Sequence, residues 1–134
     1  MTTAAKMMCG VILITVPTIE YGGYFLLTVL SGRRDNMQLT PFQKSMFRAG
    51  HAHAGVLVIL SLVVQLLADE SWLSPSITWF VRIAVPLSAI LVSGGFFAAA
   101  IGEQRQKPSG LIIILYTGVL LLAAAMITLG VGLL

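Results

Sequence analysis

Four apolar stretches account for most of the chain: Cys9 to Ser31, Phe47 to Ala68, Ile77 to Ile101 and Leu111 to Leu134. Each reaches the roughly 20 residues needed to cross about 30 Å of hydrocarbon at 1.5 Å per residue. With 57% hydrophobic and 10% charged residues and a mean hydropathy of +0.96, a soluble domain of this length could not hide its apolar surface. The bilayer must be its main solvent. The expected fold is all-α: a polytopic membrane protein forming one four-helix transmembrane bundle over residues 1–134, with helices at about 9–31, 41–68, 77–101 and 111–134. The first stretch is too long and too polar for a cleaved signal peptide. The second helix is extended back into "LTPFQKSMF", where Thr40 can serve as N-cap, Pro41 takes the first helical position and Gln43 completes a capping-box spacing.

The net charge of +3 is read by position, not as a nucleic-acid signal. Loop one holds Arg33, Arg34, Lys44 and Arg48 against Asp35, and loop three holds Arg105 and Lys107 against Glu103. Loop two holds Asp69 and Glu70 and no basic residue, with Arg82 just inside the next helix. The positive-inside rule then places loops one and three in the cytoplasm and both termini outside, in a cell inner or plasma membrane. Trp72 and Trp79 flank the outer loop as an interfacial aromatic belt would. The single Cys9 excludes an intrachain disulfide.

"GGYFLLTVLSGRR" in the first hairpin is echoed by "GGFFAAAIGEQRQ" in the second, and "HAGVLV" by "YTGVLL", which aligns His53 with Tyr116 and Gly55 with Gly118. Two tandem hairpins entering from one side would be related by an axis along the membrane normal; shared Gly, Leu and Ala bias is the competing explanation. Gly94, Ala98 and Gly102 follow the small-xxx-small spacing of close helix contacts, and Gly22, Gly23, Gly50, Ala54 and Gly55 can act alike. Pro17 and Pro86 are expected to kink the first and third helices.

Three ionisable groups fall in apolar surroundings: Glu20, His51 and His53. Charge is costly there, so such residues are functional candidates by default. Glu20 follows Pro17 by three positions, and Tyr24 lies one turn further on the same face. A structural role remains open for Glu20, as a carboxylic acid bonded to a neighbouring helix or to the carbonyl freed by Pro17. His51 and His53, at i and i+2, point about 200° apart around a helix, so one small metal ion cannot easily take both. Such a pair can serve two partners, one on each flank. Arg48, one turn from His51, can pair with an acidic group or reach the headgroups.

"HAHAGVLVIL" resembles the H-x-H helix of the catalytic subunits of haem–copper oxidases and nitric oxide reductases, and is similar to small four-helix bacterial membrane proteins that keep an H-x-H helix. In those catalytic subunits one histidine ligates a low-spin haem and its neighbour the haem on the other side. The resemblance covers about ten residues and implies that His51 and His53 are haem ligands. With only two histidines the chain lacks the others a haem–copper centre needs, so oxygen or nitric oxide reduction by this chain alone is not implied.

Counted from the helix ends, Tyr24, His51, His53 and Glu20 fall within two turns of one another in depth, so they could share one site, holding haem or, as alternatives, copper or quinone. A bis-histidine haem would need a second imidazole from another copy or subunit. That predicts a homo-oligomer or a membrane complex, with the lipid bilayer as surroundings and no nucleic-acid partner. Three functions stay open: a haem-binding protein engaged in electron transfer, a small proton-coupled transporter using Glu20, which resembles the small multidrug transporters, and an accessory subunit of a membrane complex. No nucleophile elbow, phosphate loop or zinc spacing marks the chain as an enzyme.

Overall fold

The computed structural model contains four helices, α1 (Thr3–Leu30), α2 (Pro41–Leu67), α3 (Pro75–Ala100) and α4 (Ile112–Leu133). It describes residues 1–33 and 38–134; Arg34 and Asp35 of the loop-one charge balance lie outside the described residues. Each helix is long and apolar enough to cross a bilayer, and no strand occurs among the described residues. The chain is a multi-pass, all-helical membrane protein with a four-helix bundle fold.

Helix ends follow local capping more than hydropathy. α1 starts six residues before the expected Cys9, because the Thr2 side chain accepts a hydrogen bond from the Ala5 N–H at 3.1 Å and fixes the first turn there. A hydropathy window passes over that turn because it carries Lys6. The capping box of α2 forms as expected: Gln43 N–H donates to Thr40 Oγ1, and Thr40 N–H to Gln43 Oε1, both at 3.1 Å. Gln43 does more than cap. Its Nε2 donates to the carbonyls of Ala100 (2.9 Å) and Gly102 (2.8 Å), and Thr40 Oγ1 donates to the Arg105 carbonyl. The start of α2 is thereby tied to the end of α3.

The helices pack in chain order, α1 on α2, α2 on α3 and α3 on α4. α3 is central, with ten buried residues against five in α1. Its contact with α4 uses Gly95 and Gly118. A β-carbon on Gly95 would lie 2.5 Å from the Leu115 nitrogen, and one on Gly118 would lie 2.8 Å from the Val92 nitrogen, so the two backbones nearly touch. This corrects the small-xxx-small expectation: Gly94 is exposed with nothing near its missing side chain, and Gly102 lies beyond α3 with φ +127°. The packing residue is the second glycine of the pair.

The end of the bundle holding both termini and loop two is closed by an apolar cluster that includes Val64, Val81, Val85, Ala125 and Leu129. Beside it sits Arg82, 3% exposed, which donates to the Gln65 carbonyl (2.8 Å) and Gln65 Oε1 (3.2 Å) and pairs with Asp69. Gln65 Nε2 returns a bond to the Arg82 carbonyl at 3.0 Å. Asp69 also accepts from the N–H and hydroxyl of Thr2, both at 2.7 Å. Donation by the Thr2 hydroxyl, outweighing desolvation, with the Thr2 N–H and Arg82 adding to it, lowers the Asp69 pKa to about 2. Loop two is further held to α4 by the Trp72 N–H, which donates to the Gly132 carbonyl at 2.8 Å.

Candidate functional site

α2 sends its two histidines to different neighbours, as the i, i+2 spacing requires. His51 is half-buried against α1, where a β-carbon on Gly23 would lie 3.1 Å from its Cε1 and Nε2 and one on Gly22 would lie 3.8 Å from its Nδ1. The Gly22–Gly23 pair makes room for the ring, and the imidazole acts as the spacer between α1 and α2. It makes no hydrogen bond among the described residues. The equivalent glycine of the second hairpin, Gly95, meets backbone where Gly23 meets this ring.

His53 lies on the other side of α2 and is exposed. Its Nδ1 is 2.8 Å from the Ala49 carbonyl, and its ring packs on Phe96 of α3 with centroids 4.9 Å apart and an interplanar angle of 36°. A carbonyl accepts and does not donate, so Nδ1 carries a proton, and in the neutral ring the Nε2 lone pair faces no partner among the described residues. Ala49 and Ala52, the short residues beside it, leave the outer face of α2 uncrowded.

Glu20 and Tyr24 are both exposed on α1, and no hydrogen bond joins either to an imidazole. The single site shared by Glu20, Tyr24, His51 and His53 is therefore not assembled within one chain. The reason is rotational. Gly22 and Gly23 turn toward α2, whereas Glu20 and Tyr24, on a common stripe, turn outward. The depths do match. With His51 level with Gly22 and Gly23, His53 lies about 3 Å deeper, level with Glu20 and Tyr21 of antiparallel α1. Glu20 also forms no bond to another helix or to the carbonyl freed by Pro17. Arg48 is exposed and five positions from His53, about 140° around the helix, so it shares no face with it.

As a donor set, one chain offers one outward imidazole nitrogen at this depth. Among the described residues no three His, Cys, Asp or Glu side chains gather as a metal site would need. One such nitrogen could hold one position of a bound group and cannot by itself cage a small ion. His51, whose ring fills the α1–α2 crossing, could reach such a group only if α1 moved.

Two features went unseen in the sequence. One is the Arg82–Gln65–Asp69–Thr2 network, signalled by Gln65 and Asp69 standing four positions apart opposite an arginine inside a span. The other is an apolar groove between α1, α2 and α3 of about 330 Å³, for which periodicity gives no signal. No family model, curated protein or solved structure matches the chain.

Proposed function

We propose that this membrane protein binds a haem, or a comparable flat redox cofactor, through His53 and serves in electron transfer as part of an assembly of chains. What supports this most is the free Nε2 of His53, at hydrocarbon depth and oriented by the Nδ1–Ala49 carbonyl contact of 2.8 Å. Metal-ligating histidines commonly donate their other ring N–H to a carbonyl in this way, which fixes tautomer and ring orientation. Packing on Phe96 restrains the same ring. A bound haem would supply one-electron chemistry. The chain would hold it through His53 Nε2, with the Ala49 carbonyl and Phe96 restricting the ring's rotation.

A second imidazole would come from a second copy or another subunit, since His51 packs against Gly22 and Gly23 of α1. Glu20 supports assembly from another direction: an exposed carboxyl with no partner among the described residues is costly against lipid at that depth. The loop charges orient the assembly with loops one and three in the cytoplasm of a cell inner or plasma membrane and both termini outside. The transporter reading gains no comparable support, because Glu20 lies about 160° around α1 from Thr18, which lines the groove.

The test is the absorption spectrum of protein purified from haem-replete cells, and of the same protein after titration with haemin. A Soret band at one haem per two chains, lost in His53→Ala and kept in His51→Ala, is the expected result. Absence of a saturable Soret band in both preparations refutes the reading.

A further inference from the structure

The bundle end formed by loops one and three holds cations that the chain does not balance. The first loop carries four basic residues against one acidic residue, and the third carries two against one. Among the described residues both ion pairs lie at the opposite end, on Asp69. Lys44 and Arg48 are exposed and make no hydrogen bond or ion pair among the described residues. They stand four positions apart near the start of α2, so their side chains share one ridge, which continues through the exposed Ala52 and Val56. The first turn of α2 contains no acidic residue, and the helix dipole is positive there. A cation at Lys44 is therefore unfavourable unless an anion joins it.

We propose that Lys44 and Arg48 bind one anionic phospholipid, with both cations on its phosphate and an acyl chain lying along Ala52 and Val56. Depth argues for this first. The 27 residues of α2 span about 40 Å, so centring them on about 30 Å of hydrocarbon leaves about 5 Å of helix at each end. Lys44, three residues beyond Pro41, is rooted at the hydrocarbon boundary, and Arg48, seven residues beyond it, about 5 Å deeper. An arginine at that depth extends toward the headgroups, which lifts its guanidinium to the level of Lys44. Two cations of one ridge then meet in the layer where lipid phosphates sit. Charge argues next. A zwitterionic headgroup brings its own ammonium to its phosphate, whereas an anionic one leaves the phosphate to the protein, and a guanidinium binds it through two N–H groups. A basic residue near the membrane surface is worth about a fivefold preference for anionic lipid, so the pair is worth about thirtyfold. Shape argues last: below Arg48 the ridge drops to the single methyl of Ala52, where a chain can lie close to the helix. Arg48 shares no face with His53, so the proposal stands or falls without the haem reading.

The experiment uses the whole chain in dodecyl maltoside micelles, labelled by phosphatidylglycerol with a photoreactive diazirine in one acyl chain, with labelled peptides located by mass spectrometry. Labelling is expected on residues 48–56. Unlabelled dioleoyl phosphatidylglycerol should displace the probe about thirtyfold better than dioleoyl phosphatidylcholine. Lys44→Gln and Arg48→Gln should each cut that preference about fivefold, and both side chains are exposed, so the fold should persist by circular dichroism. Arg33→Gln and Lys107→Gln, at the same bundle end but off the ridge, should leave the preference within about twofold. Inorganic phosphate, at an ionic strength matched with sodium chloride, should not displace the probe; displacement by it would make a free anion the occupant and overturn the lipid. Equal displacement by the two lipids on the unmodified protein overturns the proposal, whatever the variants do. So does an equal loss in all four variants, which marks a diffuse field in place of a site, or an unchanged preference in folded Arg48→Gln protein.

Discussion

Asp69→Asn isolates the charge that holds the terminal end of the bundle together. In the native chain Asp69 pairs with Arg82, which is 3% exposed, and accepts two bonds from Thr2, so one side chain ties together the start of α1, the end of α2 and the first turns of α3. Lowering its pKa from 3.8 to about 2 corresponds to about 2 kcal/mol at 1.36 kcal/mol per unit. Screening at the water-facing end of the bundle reduces this to about 1–2 kcal/mol. The substitution also leaves Arg82 buried without its counter-charge, a situation that costs about 3–5 kcal/mol in a fully enclosed site. At this bundle end, with the Gln65 carbonyl and Oε1 still accepting from Arg82, a net loss of about 2–4 kcal/mol is expected. Unfolding by dodecyl sulfate in mixed micelles, followed through the nearby Trp72 and Trp79, measures it. The folded pKa is depressed, so the contribution is complete above the unfolded value of 3.8 and is lost as pH falls through about 2. The stability gap between wild type and Asp69→Asn should be widest at neutral pH and close between pH 5 and pH 2. A gap below about 0.5 kcal/mol at pH 7, or one that stays constant down to pH 2, would refute the clamp.

Gly95→Val and Gly118→Val should each destabilise the α3–α4 contact by about 3 kcal/mol in the same titration, because backbone atoms occupy the position of the new β-carbon; Gly130→Ala, with nothing within 4 Å, should change stability by less than about 0.5 kcal/mol. Gln43→Ala removes a capping bond and two bonds to the end of α3; a loss of about 2 kcal/mol and faster hydrogen exchange at residues 40–44 and 99–105 are expected. Gly23→Val should push the His51 ring out of the α1–α2 crossing, read as a larger α1–α2 spacing by electron–electron resonance of paired spin labels, yet leave any Soret band of His53 unchanged.

Hydropathy and punctuation made the fold legible. Four spans, the Thr40–Gln43 capping box and prolines at the starts of α2 and α3 all lie where local rules place them. The opposed directions of His51 and His53 were legible for the same reason, since a regular helix dictates them. Partners were not legible. That Gly95 and not Gly94 meets α4, or that Gly22 and Gly23 accommodate His51, depends on how two helices rotate against each other, and both glycines of each pair satisfy the same spacing pattern. The same rotation carried Glu20 and Tyr24 away from the histidines although all four share a depth. In the sequence Arg82 stands only as a charge just inside α3, because nothing local shows that its guanidinium turns back to Gln65 and Asp69.

Polar groups in the spans sort by location. Those buried near the bundle ends are satisfied within the chain: Arg82, Gln65 and Asp69 at one end, Gln43 and Thr40 at the other. At intermediate depth Glu20, the Nε2 of His53 and the buried Ser93 hydroxyl have no partner among the described residues, and Glu20 and His53 are exposed on the bundle surface. A chain selected only to pack would place such groups the other way round, since an unmet hydrogen bond costs most where water is absent. The ends therefore do the structural work, and the unpaired middle is where the proposed assembly would act. Glu20 and His53 lie at one depth on different helices, so a single neighbouring chain could meet both in the proposed assembly.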